Sequence, residues 1–353
     1  MKRFDKHNTL NEILEETRPE MALFFPDSLL CLVPEEYRDK PLSFIEQHMV
    51  MPWGAPFPAD DLVRESAEIM QAREEKTWNL TPLWIEDPSR LTFDTNNEDS
   101  VFLLHLNSRL SGTCPAVIIC PGGGYENLAC NSEGLQIARR MEADGYRCFI
   151  LTYRCSPNRY PAPQLDLLLA VGYLRANAAQ FEIDPGDLMV LGFSAGGHLC
   201  ASAAALHEQL RPELMERLAG RRPGLVPALK DISLRPDKVC LCYPVISFLE
   251  EAHESSFQSL TGGDESLRGA LSAELIADED YPKTFIWACL DDGLVPPGNA
   301  IRMAKALEEK DVPCELRLYP QGDHGCGLAA GTSAAGWMDD MLRFMKDQVQ
   351  QKN

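Results

Sequence analysis

The run Gly192-Phe193-Ser194-Ala195-Gly196 sets one hydroxyl between two glycines, with Gly197 directly after. A serine hydroxyl is a poor nucleophile at neutral pH until a base takes its proton and a tight turn presents its oxygen. The segment 187–193 reads as a strand, and the alanine-rich segment after the serine reads as a helix. A nucleophile elbow needs that strand–turn–helix context, and the glycines remove side chains that would collide with the strained serine backbone. The similar string GTSAAG at 331–336 lacks the third glycine, and no strand feeds it.

An activated serine of this kind takes its partners in the order serine, acid, histidine along the chain. His7, His48 and His105 precede Ser194, and His198 lies one helical turn beyond it, where it is suited to steadying the helix. His207 and His253 follow the serine with no acid-bearing strand end in between. His324 remains, in a loop after a strand, flanked by Gly322 and Gly325. The strand 284–290 ends in Asp291-Asp292, and the spacing Asp292-Gly-Leu-Val-Pro296 selects Asp292 to orient the imidazole and stay ionised. Asp291 is then a turn or capping acid, and Asp323 a solvated loop charge.

A tetrahedral oxyanion needs donors fixed in advance. Pro121-Gly122-Gly123-Gly124, at the end of an early strand, offers consecutive glycine amides, and the amide of Ala195 completes the set. No Gly-Lys-Ser/Thr follows the glycines, and Gly122-x-Gly124-x-x-Asn127 breaks the dinucleotide pattern, so neither nucleotide-binding reading fits.

The elements that would position these residues alternate. Strands are expected at 114–120, 147–154, 187–193, 238–246, 284–290 and 314–320, and helices at 133–146, 164–181, 195–210, 266–275, 298–310 and 335–350. Near-continuous Val, Ile, Leu and Cys strands, each followed by a helix, predict an α/β fold: a mostly parallel sheet with helices on both faces. Residues 1–78 do not share this rhythm. They carry the proline-rich MPWGAPFPADD and an amphipathic helix opening at Asp60-Asp61, and are read as an N-terminal extension, mostly helical, a candidate lid or oligomer contact. Residues 79–353 form the second domain. The segment 208–236 reads as a surface excursion, with a cap over the site as the alternative.

Composition narrows the partners. A chain of 353 residues, 45% hydrophobic and 24% charged, has an ordinary globular make-up. A formal charge of -20 argues against nucleic acid, which clustered Lys and Arg must neutralise. The start runs into acids without an apolar export segment, and no window approaches a membrane span, so a cytoplasmic protein with no membrane partner is expected. The twelve cysteines sit in apolar segments such as VCLCY without a C-x-x-C pair, so buried reduced thiols are expected rather than bridges or a metal.

Together, PGGGY, EG at 133–134, YR at 153–154, YPAPQLD, LGFSAGGHL, RPDKVCLCYPVIS, DDGLVPPGNA and GDHGCGLA resemble the bacterial acetyl-xylan-esterase-like branch of the α/β-hydrolases across residues 78–350. That branch is similar to hormone-sensitive-lipase-type esterases, with Pro121 standing where their oxyanion loop has histidine. The resemblance implies an α/β-hydrolase fold and carboxylester hydrolysis through an acyl-enzyme without a cofactor. Ser194, Asp292 and His324 would be the triad, and Gly123, Gly124 and Ala195 the amide donors. Substrates would be small esters, acetylated xylo-oligosaccharides among them. A serine peptidase of the acylaminoacyl or dipeptidyl type and a non-catalytic binding protein on the same scaffold are the alternatives, and a homo-oligomer is left open. One departure is Trp287-Ala-Cys where the family has a His-Thr or His-Gly step; it is expected to alter the pocket wall.

Overall fold

The computed structural model describes residues 3–18, 20–25, 27–51, 56–92, 95–107 and 110–346. The part of the proline-rich stretch at 52–55 and the expected helix end at 347–350 lie outside the described residues.

Uninterrupted apolar runs become the middle of a sheet because both of their faces are covered. Val117, Ile118 and Ile119, Val190 and Leu191, Val239 and Leu241, and Phe285 and Ile286 are all fully buried. They belong to β3 (Cys114–Cys120), β5 (Ile183–Phe193), β6 (Lys238–Cys242) and β7 (Lys283–Cys289). With β1 (Trp78–Pro82), β2 (Phe102–Leu106), β4 (Arg147–Thr152) and β8 (Cys314–Tyr319), they form an eight-stranded sheet in the order β1-β2-β4-β3-β5-β6-β7-β8. β2 runs antiparallel to β4, whereas β4, β3, β5, β6, β7 and β8 are parallel neighbours. Helices cover both faces, as the α/β pattern predicts.

Parallel pairing sends several strand ends to one edge. The register sets Cys120 beside Gly192, Phe193 beside Cys242, Cys242 beside Trp287 and Cys289 beside Tyr319. The loops after β3, β5, β7 and β8 therefore emerge together. From β3 the chain crosses to β4 on one side and then returns to β5 on the other, which makes the gap between β3 and β5 a topological switch point, the usual place for a ligand in such sheets.

The helix after β5 runs Ser194–Arg221, well past the expected end at residue 210. Leu210, Leu214 and Leu218 stay buried along it and carry its apolar face onward. At 1.5 Å per residue, residue 208 is about 20 Å from Ser194. The segment then returns with Leu229 and Leu234 against Gly172 and reaches the start of β6, the end of the sheet away from the serine. Residues 208–236 consequently run away from Ser194 and do not cap it.

The chain divides into two compact units, Met1–Asn79 with Thr92–Asp94 and Leu80–Leu91 with Thr95–Asn353. The first has a core of its own, with Leu10, Ile13, Leu42, Ile45, Phe57, Leu62 and Ile69 buried. Its long helix spans Ala59–Glu75 with Asp60 and Asp61 in the first turn. Two further helices, Leu10–Thr17 and Leu42–His48, had no individual place in the expected, mostly helical extension; the first opens with a reciprocal cap between Thr9 and Glu12. Among the described residues, no helix is long and apolar enough to cross a membrane, and all twelve cysteines are free thiols.

Candidate active site

β5 ends at Phe193, and Ser194 opens the helix with φ of 52°, a left-handed backbone that a non-glycine residue adopts only under constraint. The flanking glycines are a packing requirement. A Cβ on Gly192 would run into the carbonyl of Gly196, and one on Gly196 into the carbonyl of Cys120. The turn presents the hydroxyl at the edge of the sheet, with Ser194 6% exposed.

Two other loops meet it. His324 follows β8, and its Nε2 lies 2.8 Å from Ser194 Oγ. Its Nδ1 lies 2.7 Å from Asp292 Oδ2. The other Asp292 oxygen accepts the amides of Leu294 and Val295, both at 2.9 Å. Asp292 is thus held by its own turn and turned toward the ring, its side chain wholly buried. With Nδ1–H donating to the carboxylate, Nε2 is left bare to accept the serine proton.

Asp291 points elsewhere. Its Oδ1 accepts the amides of Gly322 at 3.0 Å and Asp323 at 2.9 Å, which clamps the base of the histidine loop. Asp323 is exposed, but it is more than solvated charge: its carboxylate accepts the amide of His324 at 2.8 Å.

The glycine loop follows β3. A Cβ on Gly122 would stand 2.9 Å from Ser194 Cβ, so the loop abuts the elbow. The Gly122 amide is already taken by Glu133 Oε2 at 2.7 Å. Among the described residues, no hydrogen bond uses the amides of Gly123 or Gly124. Ala195 sits in the first turn of its helix, where amides have no intrahelical acceptor.

His198 is fully buried, with Nε2 2.7 Å from the carbonyl of Leu271 and Nδ1 2.8 Å from the Tyr125 hydroxyl. Nε2–H donates and Nδ1 accepts, so the ring is neutral, and burial pushes its pKa down to about 4. Trp287 does not line an open pocket wall. It is fully buried, stacked on Trp337 at 5.1 Å and edge-on to Tyr243 at 5.0 Å.

Three residues at the site had not been singled out by spacing. Glu133 and Tyr243 join behind the loops, Tyr243 Oη donating to Glu133 Oε1 at 2.8 Å. His253 lies within electrostatic range of His324; burial first, and then that imidazole, lower its pKa, and its Nδ1 is 2.7 Å from Ser256 Oγ. Glu133, within the EG step, and Tyr243, within RPDKVCLCYPVIS, each fell inside a motif, but their contact joins residues 110 positions apart and spacing does not show it.

A family model, BD-FAE, matches residues 103–307. The chain belongs to the BD-FAE family of α/β-hydrolases. The match contains Ser194 and Asp292 and stops before His324. Among the relatives of this chain, endo-1,4-β-xylanase B of Butyrivibrio fibrisolvens is 33% identical over 228 residues, 63% of this chain and 34% of that protein. The acetylxylan esterase of Xylanibacter ruminicola is 29% identical over 220 residues, 60% of this chain and 41% of its own. The chain thus spans well under half the length of either relative. A crystal structure of an acetyl ester-xyloside bifunctional hydrolase from Caldicellulosiruptor lactoaceticus superposes with a TM-score of 0.65 at 34% identity, over 75% of this chain and 94% of that one.

Proposed function

We propose that this chain is a serine carboxylester hydrolase that works through an acyl-enzyme and removes acetyl groups from short esters, acetylated xylo-oligosaccharides among them. The observation that carries the reading is the unbroken sequence from Ser194 Oγ to His324 Nε2 at 2.8 Å and from Nδ1 to Asp292 at 2.7 Å. His324 takes the serine proton as Oγ attacks the ester carbonyl carbon. The oxyanion is held by the amides of Gly123, Gly124 and Ala195, each donor of this kind contributing about 10²- to 10³-fold in rate. His324 then protonates the departing alcohol, and water, deprotonated by the same ring, releases the acid. The acetyl-sugar substrate class is supported by what the relatives' names state for those proteins.

The test is a product screen: p-nitrophenyl acetate, acetylated xylo-oligosaccharides and an aminoacyl anilide offered to the same preparation. Acetate release from the first two with no turnover of the anilide is expected. Preferential cleavage of the anilide would make the protein a peptidase instead.

A further inference from the structure

Glu133 lies on the π-helical turn Asn131–Leu135 and is 4% exposed. Both of its oxygens are held by neutral donors: the Gly122 amide on Oε2 at 2.7 Å and the Tyr243 hydroxyl on Oε1 at 2.8 Å. The Tyr243 oxygen in turn accepts the amide of Gly327 at 3.0 Å. An amide can only donate, so the Tyr243 proton goes to Glu133. Both donors favour the ionised carboxylate, since each of its oxygens accepts a hydrogen bond. Burial raises its pKa, and these two hydrogen bonds oppose the rise.

The two ends of this chain of bonds are the two loops that the chemistry needs at a fixed spacing. Gly122 opens the glycine loop against Ser194. Gly327 closes the loop that carries His324, its carbonyl accepting from Trp337 Nε1 at 3.0 Å. A Cβ on Gly327 would stand 2.7 Å from the carbonyl of Ser132, so the histidine loop also packs directly on the turn that bears Glu133. The Tyr243 ring meets the His324 imidazole edge-on at 4.9 Å. A buried carboxylate with no packing advantage over an apolar side chain is costly to keep unless it fixes something in place.

We propose that Glu133 and Tyr243 are positioning residues, a buried strut that sets the glycine loop and the His324 loop at the separation required to stabilise an oxyanion while the imidazole works on Ser194. The inference rests on the roles given to those loops above. Glu133→Gln keeps the shape but places an amide donor opposite the Tyr243 hydroxyl. Tyr243→Phe keeps the ring against His324 and removes the link to both Glu133 and Gly327.

The experiment compares both variants with the parent for kcat and KM on p-nitrophenyl acetate and for inhibition by a trifluoromethyl ketone, whose serine adduct carries an oxyanion. Because misplacement by about 1 Å costs about 10² in rate, kcat and ketone affinity should fall together by about 10- to 100-fold while KM moves by less than about 3-fold. The double variant should lose no more than the worse single one, since each breaks the same strut. Parental kcat and ketone affinity in a folded variant, or a loss confined to KM, would overturn the strut. Should Glu133→Gln not fold, Tyr243→Phe decides alone. Ser194→Ala is run alongside: if it keeps parental activity, the underlying nucleophile assignment falls and the strut with it, whereas an inactive Ser194→Ala beside fully active strut variants rejects the strut only.

Discussion

Asp291 and Asp292 carry the same side chain one position apart, and the end of β7 sends them to different work. Asp292 is buried and faces the His324 ring, while Asp291 is exposed and accepts two backbone amides of the histidine loop. Asn at 292 can present its amide group to Nδ1 and so favour the wrong tautomer; kcat is expected to fall by about 10⁴. Asn at 291 still offers an acceptor oxygen to the Gly322 and Asp323 amides, and a loss below about 10-fold is expected. Steady-state kinetics of the two variants check the ranking, and the reverse order would exchange their roles. Spacing distinguished these aspartates because both sit in a short turn whose geometry is local. Glu133 and Tyr243 are 110 positions apart and meet only through tertiary structure, so neither spacing nor residue type announced their bond. Ser333, in the near-miss string, uses its hydroxyl to hold both the amide and the carbonyl of Gln321.

At the scale of elements, the helix Ser194–Arg221 is anchored one turn in by His198, whose two ring nitrogens bind Tyr125 of the glycine loop and the carbonyl of Leu271. Its pKa lies at about 4 against 6.5 for an ordinary imidazole. The folded value is the lower one, so the unfolded chain binds the proton first, and the stabilisation is present above the ordinary value and lost as pH falls through that window. Between about pH 7 and about pH 5, the parent should lose about 2 kcal/mol more unfolding free energy than His198→Gln. Urea unfolding at the two pH values measures this, and equal losses would contradict it. The core strands and most helices of the second unit were legible because periodicity and glycine or proline boundaries reflect burial directly. Continuation of the elbow helix past residue 210 was not, since its charged outer face hid the buried leucines on the other side. β1 and β2 were not anticipated either; they are the first two strands of the sheet order, and within them only Pro82 and the short run Phe102–Leu104 are buried.

Across the whole molecule, three loops separated by as many as 130 positions arrive at one sheet edge. Parallel strand order accounts for that arrival: β3, β5, β7 and β8 all point the same way. The first unit's separate core was only partly readable, through its one long amphipathic helix, because short helices leave weak periodicity. The most direct test of the convergence is covalent labelling with a fluorophosphonate, followed by intact mass and peptide mapping. A single adduct on the peptide containing Ser194 is predicted, absent from Ser194→Ala and formed at least about 10³-fold more slowly in His324→Ala. A stoichiometric adduct that persists in Ser194→Ala, or a parent protein that takes up no label, would contradict the account.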